Sequence, residues 1–405
     1  MHPQPPTSVG VISRAAPPRR ARLDALDVFR GLTVVAMILV NTPGDSEVSY
    51  GPLRHAEWNG CTPTDWIFPF FLFIVGVAMS LSLPRRRERG ESDRAILTHA
   101  LRRSLILFAI GLLYNTFPFT HFDLATFRIP GVLQRIAFCY LIATIFALKA
   151  GVRGLLAGCA VILIGHWAVL SLISAPGQGV VELTQDSAPA GLGAYLDRLL
   201  LGRHLGGGQG TWDEKGLLSS CSASVSTLLG VVAGHVLGWE RSARTRIGVL
   251  LGAGVIAALL GWAWGGCPRF VGLVTLGEPR FGGFPINRPL STGPYVLFTS
   301  GLGAVGLAGC YWLVDVRGYK AWALPFIVFG MNAILAFMLS GMVAHLLLAI
   351  PVRGAAPSLY ATLYRELFAP LASPEDASLL FAACSVLVLF GVMAILHRKR
   401  IFLKV

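Results

Sequence analysis

Trp66-Ile67-Phe68-Pro69-Phe70-Phe71-Leu72-Phe73-Ile74-Val75-Gly76-Val77-Ala78-Met79-Ser80-Leu81-Ser82-Leu83 decides the fold: eighteen successive positions carry no charge, and Pro84-Arg85-Arg86-Arg87 closes the run. Coiled as a helix it is about 27 Å long, close to the roughly 30 Å hydrocarbon core of a bilayer. Apolar runs of similar kind recur at 26–41, 103–117, 129–148, 155–175, 217–237, 248–264, 293–314, 323–348 and 377–396. The pattern predicts an all-α polytopic membrane protein with about ten transmembrane helices, embedded in a lipid bilayer. Composition agrees, because 54% of the 405 residues are hydrophobic, only 14% are charged and the mean hydropathy is +0.64. A water-facing surface needs about twice that charge, so a soluble enzyme, a disordered chain and a small disulfide-built secreted domain are all excluded.

Lys and Arg number 34 against 21 Asp and Glu, a net charge of +13. In a soluble chain this excess would suggest nucleic acid, but here most basic residues flank the apolar runs. The clusters around Arg19, Arg85, Arg102, Lys149, Arg244, Arg317 and Arg398 fall on alternate connections, on the same side as the termini. The positive-inside rule then predicts cytoplasmic termini and makes the charge a topology signal rather than a nucleic-acid footprint. Residues 1–22, rich in Pro and Arg, read as a disordered basic cytoplasmic tail, and 23–405 as one transmembrane domain. No cleavable signal peptide is expected, since the first apolar run reads as a retained span. Of seven cysteines, Cys61 and Cys267 fall outside the spans; they read as free thiols in preference to a bridge. No metal-ligand spacing, glycine-rich phosphate loop or internal repeat is seen.

An ionisable group at membrane depth is costly, so each needs a partner, water or a function. Asp27 and Arg30 share one face at the start of the first span, as a local ion pair or as part of a cytoplasmic entrance. Asn41 ends that span. The next loop runs Gly44-Asp45-Ser46-Glu47 and then Arg54-His55-Ala56-Glu57-Trp58-Asn59-Gly60-Cys61-Thr62-Pro63-Thr64-Asp65. Thr62 or Thr64 with Pro63 and Asp65 is a helix-start signal. His55 is the one residue of that loop able to exchange a proton near neutral pH; it is either a solvated surface side chain or an acid/base. Gln134 and Arg135 lie nearly two turns into the fourth span and require partners, a structural one such as Asp65 or an anionic ligand. Outer loops carrying Trp212-Asp213-Glu214-Lys215 and Pro285-Ile286-Asn287-Arg288 mix aromatic and polar side chains, suited to a sugar and equally to an interfacial belt. Asn332 and His166 are single polar residues, each expected to make a helix–helix hydrogen bond.

Leu26-Asp27-Val28-Phe29-Arg30-Gly31-Leu32-Thr33, Asn41, His55 to Gly60, Asp65, Phe68-Pro69, Arg128 to Arg135, Asp213 to Leu217, Pro285 to Arg288 and Gly330-Met331-Asn332 occur in an order that resembles the heparan-α-glucosaminide N-acetyltransferase family, including its bacterial NagX-type members. The similarity spans nearly the whole chain from residue 23. It implies an acyltransferase moving acetyl from cytoplasmic acetyl-CoA to the amine of an amino sugar or glycan on the periplasmic side of a bacterial inner membrane, as a homodimer. The family's active histidine maps onto His55 and its asparagine onto Asn41. The chain departs from the family in lacking the animal enzyme's large lumenal extension and in Ser291, where a tryptophan is expected.

On that reading His55 is the base and Asn41 its orienter or the oxyanion donor. Asp27, Arg30, Gln134 and Arg135 are expected to serve the cofactor, with Arg102 and Arg103 as further phosphate contacts or mere topology signals. Trp58, Asp65, Asp213, Asn287 and Arg288 are expected at the acceptor, and no metal is required. Direct attack by the amine in a ternary complex is preferred over an acetyl-His55 intermediate, which would hydrolyse beside water. The rival reading is a secondary transporter for an amino sugar or its acetylated form.

Overall fold

The computed structural model describes residues 23–120, 122–178, 184–206, 210–271, 275–281, 283–352 and 358–403. The expected tail, 1–22, lies outside them. Thirteen α-helices dominate the described residues: α1 Asp24–Asn41, α2 Pro63–Glu88, α3 Asp93–Thr116, α4 Val132–Lys149, α5 Val152–Leu172, α6 Leu192–Leu201, α7 Leu217–Leu237, α8 Ala243–Trp264, α9 Gly293–Cys310, α10 Leu324–Met331, α11 Ala333–Ala349, α12 Leu359–Leu367 and α13 Pro374–Arg398. A short antiparallel ribbon pairs β1 Phe270–Val271 with β2 Thr275–Leu276.

Among the described residues eight helices are long and apolar enough to cross a membrane, α9 counting with its π-helical extension to Val316. α10 and α11 together are also long and apolar enough, but they meet at an angle of 83°, the geometry of a broken span or a re-entrant loop. The first expected span is occupied by α1, whose opening half carries Asp24, Asp27 and Arg30. Each of the ten apolar runs thus coincides with a helix or, in one case, a helix pair. Most of the apolar stretch of α2, α7 and α9 is buried, whereas α3, α5, α8 and α13 turn most of theirs outward. Outward apolar faces with internally satisfied backbone are what lipid requires of a spanning helix.

The inner helices approach closely through glycine. A Cβ on Gly76 of α2 would stand 1.9 Å from the Thr227 carbonyl oxygen of α7, and one on Gly230 of α7 would stand 2.0 Å from that of Phe73. Small residues let helix backbones touch where no hydrophobic drive separates lipid from protein. Gly76→Ala is therefore expected to force α2 and α7 apart and cost about 2 kcal/mol, read as a lower melting midpoint in detergent. An unchanged midpoint would show that the helices yield freely.

Asn332 sits at the break between α10 and α11. It does not make the expected helix–helix bond: its Nδ2 donates to the Ile401 carbonyl at 3.0 Å and its Oδ1 accepts from Leu403 N at 3.0 Å. The 401–403 segment thereby supplies polar partners where the helix is interrupted. Nearby, Arg30 Nη1 reaches the Gly330 carbonyl at 3.4 Å and Asp27 at 3.3 Å. The first and last described segments therefore share one end of the bundle. At the other end the loop after α1 is stitched to the loop before α9, Gly60 N donating to Ile286 O at 2.8 Å and Leu276 N to Cys61 O at 2.8 Å. All seven cysteines are free.

Candidate active site

The start of α2 builds the first part of the site. Thr62 caps the helix, Pro63 follows, and Asp65 returns its Oδ2 to accept from Thr62 N at 2.9 Å, a capping arrangement that fixes the carboxylate. The same oxygen accepts from Ala56 N at 3.1 Å, and the other, Oδ1, lies 2.6 Å from His55 Nδ1. The Asp65 side chain is fully buried, while the imidazole is 46% exposed. A carboxylate accepting from Nδ1–H holds the ring in one tautomer and leaves the Nε2 lone pair free to take a proton.

Distant loops complete the constellation. Arg288 Nε lies 3.1 Å from Asp65 Oδ1, and its Nη1 donates to Glu214 Oε2 at 2.7 Å. Lys215 Nζ stands 3.6 Å from the same Glu214 oxygen. Arg135, projecting from α4, donates to the hydroxyls of Ser220 at 3.2 Å, Ser291 at 3.2 Å and Ser219 at 2.6 Å, and to the Glu214 carbonyl. Asp65 is therefore not its partner: the guanidinium is held by serine hydroxyls and a carbonyl, and the carboxylate belongs to His55 and Arg288. His55, Asp65, Arg135, Glu214, Lys215, Arg288 and Ser291 line a cavity of about 840 Å³, open space at its mouth included, which continues between the helices to Met37, Leu72 and Phe337. Asn41 and Tyr295 also line it, and the Tyr295 hydroxyl donates to the Asp65 carbonyl at 2.7 Å.

Electrostatics in the loop before α7 follow from this packing. Burial works against the charge on Glu214, but Lys215 and Arg288 outweigh it and bring its pKa from 4.5 to about 2. Burial also pushes the Lys215 ammonium down to about 8, against the pull of Glu214. A carboxyl depressed on folding contributes stability that is complete above its unfolded pKa and fades as pH falls through its folded one. Melting midpoints of the native chain should thus drop from pH 4.5 towards 2 with a component that Glu214→Gln lacks; parallel acid limbs for the two proteins would sink this assignment.

The other candidates separate into distinct places. Asp27 and Arg30 lie at the far end of α1; Asn41 is eleven residues beyond Arg30, about 16 Å along the helix. Gln134 lies in an apolar cleft beside α3 that Arg135 also lines, and its buried amide has no hydrogen-bond partner among the described residues. Arg128 holds Asp213 through two 2.8 Å bonds, and Asp213 also accepts from Gly206 N and Lys215 N. Asn287 is wholly buried and ties two loops, donating to Trp58 O at 3.1 Å and accepting from Leu290 N at 2.9 Å. Trp58 and Asp213 line an adjoining pocket, not the His55 cavity. Glu214 and Lys215 were visible in the sequence only as members of a polar outer loop, and Ser219, Ser220 and Tyr295 went unnoticed, although the serine-rich start of α7, Ser219-Ser220-Cys221-Ser222, is an unusual feature for a span. Among the described residues no cluster of His, Cys, Asp and Glu is arranged to hold a metal ion.

Residues 22–186 match the family profile described as heparan-alpha-glucosaminide N-acetyltransferase, catalytic. The chain is 30% identical over 367 residues to the heparan-alpha-glucosaminide N-acetyltransferase of Homo sapiens, covering 80% of this chain and 53% of that protein. It is 28% identical over 363 residues to the Mus musculus protein of the same name, covering 78% and 53%. The chain thus spans about half the length of the curated relatives it matches. The profile covers α1, the His55 loop, the start of α2 and Arg135, while the wider similarity continues into the later helices. Two relatives and a family profile, agreeing with a fold of apolar helices, make this chain a heparan-alpha-glucosaminide N-acetyltransferase-like family member.

Proposed function

We propose that this chain is a transmembrane acyltransferase that moves an acetyl group from cytoplasmic acetyl-CoA to the amine of an amino sugar or glycan on the periplasmic side of a bacterial inner membrane. The observation that carries the reading is the His55–Asp65 pair at the mouth of a cavity that runs inward between helices. Both termini are then cytoplasmic, and the working unit is a homodimer.

Coenzyme A is too highly charged to enter lipid, but its pantetheine arm is thin and nearly uncharged. The thioester reaches His55 along the cavity while the nucleotide remains at the opposite end, where Arg30 and Asp27 flank the interrupted helix. His55 Nε2 removes a proton from the sugar amine as its nitrogen attacks the acetyl carbonyl carbon. The tetrahedral oxyanion is met by the Asn41 amide, with Arg135 and Arg288 supplying positive field. Collapse breaks the carbon–sulfur bond, and the proton held by His55 passes to the departing thiolate. Asp65 keeps its negative charge throughout and steadies the imidazolium, taking the orienting role that Asn41 otherwise shares. Exclusion of water from the cavity protects the thioester from hydrolysis.

Protein in detergent, mixed with acetyl-CoA and a panel of amino sugars including glucosamine, tests this reading. Expected are sugar-dependent thiol release and an N-acetylated product by mass spectrometry. Accumulation of labelled sugar in proteoliposomes with no consumption of acetyl-CoA would overturn it in favour of a transporter.

A further inference from the structure

A hollow of about 800 Å³, open space included, lies between α3, α4 and the start of α7. Leu101, Leu105 and Phe108 line it from α3; their helical spacing puts them on one face, and all three are exposed outward. α4 adds Phe138 and Leu141. A cleft of this composition on a spanning helix opens into lipid, and water finds no partners along its apolar walls, so hydrocarbon fills it.

Its polar groups are unevenly placed. Ser104, on α3, spends its hydroxyl on the Ala137 carbonyl at 3.0 Å. The charged groups lie where the cleft meets the His55 cavity, since Arg135 and Lys215 line both hollows. Gln134, one residue before Arg135, is only 5% exposed, yet neither its Nε2 nor its Oε1 has a hydrogen-bond partner among the described residues. Leaving both donor and acceptor of a buried amide unmet is costly. Charge at this end is unbalanced as well. Arg135 is held by hydroxyls and a carbonyl and pairs with no carboxylate among the described residues. Lys215 Nζ stands 3.6 Å from Glu214 Oε2, an oxygen that Arg288 already holds at 2.7 Å.

We propose that this cleft binds an anionic glycerophospholipid from the leaflet at the His55 end of the bundle. One acyl chain lies between α3 and α4, the phosphate meets the Lys215 ammonium in the field of Arg135, and an ester carbonyl accepts from the Gln134 amide. A zwitterionic lipid offers the same chain and ester, but its own cation offsets the phosphate. A free anion offers the charge without the hydrocarbon. The site stands apart from the acetyltransferase reading, because occupancy is measured without turnover.

Full-length protein stripped of lipid in detergent and titrated with phosphatidylglycerol or with phosphatidylcholine of the same acyl chains, bound lipid being counted by native mass spectrometry, tests the site. Phosphatidylglycerol is expected to bind about fivefold tighter, the scale of one basic residue beside an anionic headgroup. Lys215→Gln should bring that ratio towards one, and Gln134→Leu should weaken both lipids alike. Leu105→Trp narrows the cleft from the outer face of α3, where folding tolerates the change, and should cost occupancy by either lipid. Equal affinities in the native chain, or a ratio unmoved in folded Lys215→Gln, would overturn the proposal. Displacement of the lipid by inorganic phosphate would reduce the site to an anion site with no chain and overturn it too. Should Lys215→Gln fail to fold, Leu105→Trp decides: lipid binding that survives it refutes the cleft, and a changed oligomeric state with lipid binding intact would give this face to a second copy of the chain.

Discussion

His55→Ala protein should transfer acetyl at least about a thousandfold more slowly than the native chain, the scale expected when a positioned general base is lost. Its melting midpoint should barely move, because the imidazole is half-exposed and its one described partner, Asp65, keeps Arg288, Thr62 N and Ala56 N. Asp65→Asn should lose about a hundredfold or more by a different route. An amide can still accept from Thr62 N and start α2, but it cannot both receive the Nδ1 proton and balance Arg288. Thiol release assayed at saturating acetyl-CoA checks both variants. Native turnover in His55→Ala would remove this histidine from the mechanism. A kcat unaltered in Asp65→Asn would reduce the pair to a surface contact.

The second large effect concerns folding. Arg128→Ala strands the Asp213 carboxylate, whose side chain has no exposed surface, between two backbone N–H groups. Breaking a buried pair from one side costs about 3–5 kcal/mol, and the lower figure suits a guanidinium that is itself a third exposed. The melting midpoint in detergent should fall accordingly. The Arg128→Ala/Asp213→Ala double variant should fall by less than the sum of the single changes, as expected of partners in one interaction. A double variant that is fully additive would show that the two residues act separately.

The fold was legible because lipid imposes one rule on every span: an apolar run of fixed length. Where the rule was diluted, reading failed. α3 begins at Asp93, ten residues before the apolar run begins at 103, because Arg94, Arg102 and Arg103 hide its opening turns from hydropathy. Arg103 is accommodated by lying over the Tyr140 ring, 4.7 Å from its centroid. The 83° break at Asn332 was hidden as well, since the residues around it are as apolar as those of an unbroken helix. In the site, His55 and Asp65 each stood out, one as a loop imidazole and the other as a helix-start acid. Their pairing depends on how the intervening Asn59 to Cys61 segment is bound to the loop before α9, a long-range fact invisible in local sequence. Arg135 announced that it needed a partner but not that serines would supply it. His166 carries no helix–helix hydrogen bond of the kind its single polar side chain suggested: neither ring nitrogen has a hydrogen-bond partner among the described residues.

One carboxylate, Asp65, both begins α2 and grips His55. This has a consequence for descent. On the proposed mechanism, a lineage that loses the reaction can do so cheaply by changing His55, an exposed side chain on a loop, but change at Asp65 also disturbs a membrane helix and is removed by misfolding before activity is ever tested. Pseudoenzymes derived from this scaffold should therefore keep the aspartate and vary the histidine, so an intact Asp65 reports inheritance of the fold, while the residue at 55 reports whether the chemistry survives.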